Sequence, residues 1–183
     1  MNWYKKSQIA QQYTQNLEHP MSDVKVIGSG MNHTINIPGG TPISAKDLLN
    51  MAVQKVKPVL IQNHVHTIDT SPIGKSDVQG LSSSHEVGII HVDLPKIFNT
   101  VRTNLNTNST QTFDKSSTDS IVDKVSSYLL GELGETMLHE SAHFNSFTNL
   151  FQQGRPFSEE TEQHAVQFGQ EGRKKYFSET VNQ

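Results

Sequence analysis

His139-Glu140-Ser141-Ala142-His143 is the stretch on which the reading of this chain turns. On a helix, residues four apart share a face, so His139 and His143 can present two imidazoles to one metal ion. Glu140, the next residue round the turn, is placed to hold a water and take its proton. This spacing is the pattern of metal-assisted hydrolysis. Met137-Leu138 precede it, and Phe144 and Phe147 follow, so a partly buried helix with its ligand face turned inward is expected. Ser141 and Ala142 are small and would let a neighbouring element come close to the metal face. No proline falls between Asp119 and Leu150, so one continuous helix is expected there.

Catalytic zinc takes three protein ligands, so one more donor is needed. Downstream, Gln152-Gln153-Gly154-Arg155-Pro156 reads as a turn between helices. Ser158 then reads as an N-cap, with Glu159 and Glu160 in the first turn of a second helix, where acidic side chains suit the positive end of the helix dipole. Glu162 lies one turn further in, followed at three and six residues by Ala165 and Phe168. A small residue at that offset lets the two helices pack closely and carries the carboxylate toward the histidines. Glu162 is the first candidate for the third donor, Glu159 or Glu160 the second, His164 the third. The longer pattern H-E-x-x-H-x-x-G-x-x-H is excluded: Ser146 stands where it requires Gly, and Asn149 where it requires His.

Met137 to Phe144, M-L-H-E-S-A-H-F, followed by Glu160 to Gly169, E-T-E-Q-H-A-V-Q-F-G, resemble the gluzincin zinc metallopeptidases, in which the H-E-x-x-H helix is followed by a glutamate helix carrying E-x-x-A or a close variant. The run Glu162 to Gly169 is also similar to the small phage- and plasmid-associated metallopeptidases that cleave repressors, and the short chain resembles the minimal single-domain minigluzincins. The resemblance spans about a fifth of the chain. It implies an α+β, zincin-like single domain, with an N-terminal helix and a small twisted sheet followed by the H-E-x-x-H helix and a C-terminal glutamate helix. It further implies Zn2+ held by His139, His143 and Glu162, Glu140 as the catalytic base, and a peptide or protein substrate. Many gluzincins carry an acidic residue four positions after the glutamate ligand, to hold a zinc-bound histidine. Val166 stands there, so that partner would come from Glu135, one turn before His139, or from a backbone carbonyl.

The 183 residues suit one domain, 1–183, in which 1–118 forms the helix and sheet part and 119–183 the catalytic helices. Only 33% of residues are hydrophobic and Asn, Gln, Ser and Thr abound, so a thin core and long loops are expected. A net charge of -3 gives no electrostatic case for nucleic acid or a membrane surface as partner. No apolar run reaches the length of a membrane span, and polar Gln and Ser follow Met-Asn-Trp-Tyr-Lys-Lys, so a cytoplasmic location is expected. The absence of Cys removes disulfides and thiolate ligands.

Trp3, Ile9, Tyr13 and Leu17 mark an amphipathic helix over residues 3–17. Val24 to Ile27 and His33 to Ile37, separated by Gly28-Ser29-Gly30, read as a hairpin. Ser44 and Asp47 make a capping box for a helix through Val56, stopped before Pro58. Val59 to Ile68 and Val87 to Leu94 are the best strand candidates. Between them, residues 69–85 are expected to form a mobile flap or an active-site rim, and 103–118 a flexible connection to a helix beginning near Asp119.

An extended substrate would pair with an edge strand, and Val87 to Asp93 is the candidate edge, ended by Pro95. Tyr176, Arg173, His91 and His164 are the side chains of a type that could stabilise an oxyanion, with Tyr176 the chosen candidate, although a surface or packing role is the simpler reading of each. His64 and His66 alternate as a second metal pair would on a strand, but a solvent-facing side is the simpler account. His19, His33 and His85 read as surface residues. The alternative to a peptidase is a non-catalytic binding or structural protein that keeps the helix pair.

Overall fold

The computed structural model describes residues 23–36, 42–74, 78–82, 86, 88–106, 115–152 and 159–177. The expected helix over 3–17, the N-cap Ser158, His19 and His85 lie outside the described residues. Within them the chain is a mixed α+β protein with four helices and a small, mostly parallel sheet. Strands β1 (Lys25–Ile27), β4 (Thr67–Asp69), β5 (Gly80–Ser82) and β6 (Ile89–Val92) form one sheet in the order β1-β4-β6-β5, and β2 (Thr34–Ile35) pairs with β3 (Ile43–Ser44) in a second. The helices are α1 (Ala45–Gln62), α2 (Leu94–Asn106), α3 (Lys115–Gln152) and α4 (Glu159–Phe177).

The expected hairpin does not form. β1 pairs in parallel with β4, and β2 turns away to pair with β3. Gly28, at φ 104°, leads into a 3-10 turn over Ser29–Asn32. A Cβ at Gly28 would stand 2.6 Å from the Ser71 nitrogen, so the glycine serves the close approach of β1 to the end of β4. Thr70 closes that approach by donating both its N–H and its hydroxyl to the Ile27 carbonyl, each at 2.8 Å.

Helix α1 begins as expected, with the Ser44 hydroxyl accepting from the Asp47 N–H at 3.3 Å. It does not stop before Pro58; it runs on to Gln62 with the proline inside. Val59 to Gln62, read as strand, are therefore helical. The loss of one intrahelical hydrogen bond at Pro58 is outweighed by the apolar stripe of Leu49, Val53, Val56 and Leu60, all buried at helical spacing. Termination comes at His64, which takes a positive φ of 69°. Its N–H donates to the Ile61 carbonyl and that of Val65 to the Leu60 carbonyl, the paired bonds of a Schellman stop. His64 and His66 thus do not share a strand, and His66 is held by Thr67, with Nδ1 2.8 Å from Oγ1.

Residue alternation sorts the sheet into two faces. The row Val26, Ile68, Ile90 and Ser82 is in register across β1, β4, β6 and β5, and Ile68 and Ile90 are fully buried within the core that includes Leu133, Met137 and Leu138 of α3. The opposite row, Ile27, Asp69, His91 and Leu81, is exposed or half-buried. β6 is flanked on both sides and is not an edge; β5, antiparallel to it, occupies that edge. Asp93, rather than Pro95, ends β6: it caps α2, its carboxylate accepting from the Lys96 N–H at 3.2 Å, with Pro95 in the helix's first turn.

The expected flap is fastened where it is described. Ile73 N–H donates to Asp93 Oδ2 at 3.0 Å, and Lys96 Nζ donates to the Ile73 and Val78 carbonyls at 2.9 and 3.2 Å. The chain then enters β5. Helix α3 starts at Lys115, a few residues before the expected Asp119, and is about 57 Å long at 1.5 Å per residue.

The Schellman stop generates a prediction. A non-glycine residue at φ 69° is strained, and His64→Gly is expected to raise stability by about 0.5 kcal/mol, the relief of strain less the added chain entropy of glycine. Burial also holds the His64 imidazole below its ordinary 6.5, so the unfolded chain binds the proton more readily and the fold loses stability as pH drops below 6.5. Urea unfolding at pH 7.5 and 5.5 should show a higher midpoint for the variant and a smaller loss on acidification.

Candidate metal centre

Small residues decide how the centre is assembled. Along α4, Glu162 is followed by Ala165, Gly169 and Gly172, spaced by three or four residues on one face. Ala165 is fully buried, and a Cβ at Gly169 would stand 2.9 Å from the Glu135 carbonyl oxygen and 3.3 Å from the His139 Cβ. The two helices run antiparallel, since Glu162 meets His139 and His143 while Gly172 lies against Leu138 and Arg173 lies over Gly131. Glycine in a helix costs roughly 1 kcal/mol relative to alanine, and here it permits backbone-to-backbone approach.

That approach carries the Glu162 carboxylate onto both histidines. Oε1 lies 3.0 Å from His139 Nε2 and Oε2 lies 3.0 Å from His143 Nε2. The imidazoles stand edge to face, with centroids 5.1 Å apart. One donor atom from each of the three residues lies within 4.8 Å of the others, and these three could hold a metal ion. Ligand atoms around a tetrahedral zinc stand roughly 3.4 Å apart, given bond lengths near 2.1 Å, and the two 3.0 Å separations from Glu162 lie close to that. Burial pushes His143 below the ordinary imidazole value, more than the Glu140 and Glu162 carboxylates raise it, and so favours the neutral form that coordinates metal. The Glu162 side chain is 57% exposed, leaving this side of the centre open to solvent.

Glu140 lies beside the donors and is buried, with Oε1 3.8 Å from His139 Nε2. Its other oxygen, Oε2, accepts a 2.7 Å hydrogen bond from the Ser82 hydroxyl on β5. No family model, no curated protein and no solved structure matches the chain.

Ser141 does not line the metal face. It points to the opposite side, where it accepts from Asn63 Nδ2 at 3.1 Å and donates to the Leu138 carbonyl at 2.8 Å. Asn63 and Ser141 are both buried, so the end of α1 is tied to the middle of the His139–His143 segment. Glu135, expected to hold a histidine, instead accepts from Arg173 Nη1 at 2.8 Å, and Glu132 accepts from the same atom at 2.6 Å. Burial works against the Arg173 charge, but its hydrogen bonds to the Glu135 and Glu132 carboxylates, and their negative charge, outweigh that and raise its pKa. Arg173 is thereby committed to the helix interface and is not an oxyanion donor.

The other side chains considered for that role are not brought to the centre. Tyr176 lies fourteen residues beyond Glu162, about 21 Å along α4, with its ring packed on the core and capped by Lys175 Nζ at 5.3 Å. His91 is engaged on the far face of the sheet, with Nε2 2.8 Å from Glu86 Oε2 and Nδ1 3.6 Å from Asp69 Oδ2. His164 is exposed, its ring 6.3 Å from that of Phe168. The backbone at Glu159 and Glu160 opens α4, while their side chains lie outside the described set.

Sequence reasoning missed Ser82, Gly80 and Gln79. Gln79 Nε2 donates to Glu132 Oε2 and Thr136 Oγ1, both at 3.4 Å, and its Oε1 accepts from Thr100 at 3.2 Å. A polar chain from Arg173 through Glu132 to Gln79 thus fixes the start of β5 against the helices. In the sequence these residues belong to a Gly- and Ser-rich run with no strand pattern; only the register with β6 assigns Gly80 and Ser82 a face.

Removing the centre of this chain tests it. Arg173→Met is expected to cost about 2 kcal/mol of stability, because two half-buried carboxylates lose their charged donor. Equilibrium urea unfolding measures it, and a loss below roughly 0.5 kcal/mol would reduce Arg173 to an ordinary surface cation.

Proposed function

We propose that this chain is a zinc-dependent peptidase with a zincin-like active site. One observation carries the reading: a carboxylate from a second helix reaches the Nε2 atoms of both histidines of an H-E-x-x-H segment, each at 3.0 Å. A structural zinc site commonly closes with four protein ligands, whereas three are typical of catalytic ones, and among the described residues His139, His143 and Glu162 make three. When bound, the ion supplies Lewis acidity that acidifies water and polarises a carbonyl.

The remaining chemistry falls to the protein. Glu140, beside the donors and largely shielded from solvent, accepts a proton from the attacking water and delivers it to the leaving amine. The neighbouring edge strand supports a peptide rather than a compact substrate. β5 pairs with β6 on one side, and it lies so close to α3 that a Cβ at Gly80 would stand 3.2 Å from Glu140 Oε1. An extended peptide adding itself to the other side of β5 would pass beside the base. This replaces β6, which has no unpaired edge, as the strand that receives substrate.

Two measurements test the reading. Purified protein should bind one zinc ion, and Glu162→Ala should weaken that binding by more than about a hundredfold in a competition titration. Glu140→Gln should keep the zinc and lose about 10²- to 10⁴-fold in kcat on a fluorogenic peptide library. Undiminished turnover by that variant sinks the assignment. Stoichiometric zinc with no cleavage of any peptide would identify a non-catalytic binding protein instead.

A further inference from the structure

We propose that Ser82 is the positioning residue of the base: its hydroxyl orients the Glu140 carboxylate so that Oε1 faces the donor triad. The inference rests on the peptidase reading above and adds to it a residue from another part of the chain.

The geometry begins with strand register. Ser82 pairs with Ile90, and Gly80 with Val92, so both face the buried side of the sheet, where α3 lies. Ile90 and Val92 bury apolar surface there, whereas β5 presents a hydroxyl and a bare backbone. A serine in this row would be an unremarkable substitution were it not for its partner. Its Oγ is 2.7 Å from Glu140 Oε2, the length of a hydroxyl–carboxylate bond. An ionised carboxylate only accepts, so the serine donates.

The terminal torsion of glutamate is broad, and without a fixed donor the carboxylate turns freely. Ser82 removes that freedom by occupying Oε2. Oε1 is left 3.8 Å from His139 Nε2, on the side where a water would sit. Gly80 completes the arrangement, because any side chain there would press on Oε1 and on Thr136. Ser82 is itself held in place through Gln79, which precedes the strand and whose side-chain amide donates hydrogen bonds to Glu132 and Thr136 and accepts one from Thr100.

The proton account closes without a change at the serine. Water gives one proton to Glu140 Oε1 as its oxygen bonds to the scissile carbon and the carbonyl π pair moves to oxygen. That pair re-forms the carbonyl as the C–N bond breaks, and Oε1 returns the proton to the departing nitrogen. Ser82 donates to Oε2 throughout and keeps its hydrogen.

The test uses the full-length, zinc-loaded chain and its Ser82→Ala, Ser82→Thr and Glu140→Gln variants. Ser82→Ala should lower kcat about tenfold with KM within twofold and zinc stoichiometry unchanged, because the base is misaligned while binding is intact. Ser82→Thr, which keeps the hydroxyl, should recover most of the loss. In a Glu140→Gln background, Ser82→Ala should cost nothing further, since the group it orients is already gone. A crystal structure of Ser82→Ala should show the Glu140 carboxylate rotated with the β5 backbone in place. Wild-type kcat in Ser82→Ala, an equal loss in both backgrounds, or an unmoved carboxylate overturns the role alone. A wild-type chain that binds no zinc or cleaves nothing overturns the peptidase reading and this role with it.

Discussion

The antiparallel contact between α3 and α4 is the constraint from which the centre follows. Histidines at a spacing of four supply two donors from one helix, but the third must come from elsewhere, and its reach is short. Glu162 succeeds because Ala165, Gly169 and Gly172 let the helix backbones approach closely enough for both carboxylate oxygens to lie 3.0 Å from an imidazole nitrogen. Hydrophobic burial supplies the force that holds the helices together, with Leu129, Leu133, Met137 and Leu138 buried on α3 and Phe177 on α4. The Arg173 pair with Glu132 and Glu135 sets the register in which those helices lock. Packing and electrostatics therefore act on the same few turns.

The two ends of the chain differed in how much they disclosed. The His139–His143 segment, the Glu162 helix and the role of Ala165 were legible because helical periodicity is local: spacing alone puts those residues on one face. Ser44 announced the start of α1 for the same reason. Its end was misread because Pro58 is a local signal while the burial of Leu60 is a tertiary one, and the tertiary one prevailed. Val59 to Ile61 suit a strand by their side chains alone; what makes them helical is the core they face.

Strand pairing was least accessible. Gly28-Ser29-Gly30 has the composition of a hairpin turn, yet β1 finds its partner some forty residues later in β4, and the glycines serve that distant contact. β5 was hidden in a polar run because three residues leave no periodicity to detect. Ser82 became visible only through its register with Ile90 and its bond to Glu140. Glu135 and Arg173 were each given plausible roles at the metal; neither could be seen from the sequence to satisfy the other.

Asn63 and Ser141 tie the end of α1 to the very residues between the two histidines, across 78 positions of sequence. The bond is buried, so whatever loosens the first helix also loosens the backbone on which the imidazoles ride. A partly folded chain would lack this brace and the docked α4 together. The cluster of His139, His143 and Glu162 would then form only with the finished tertiary structure, since neither helix alone carries all three side chains.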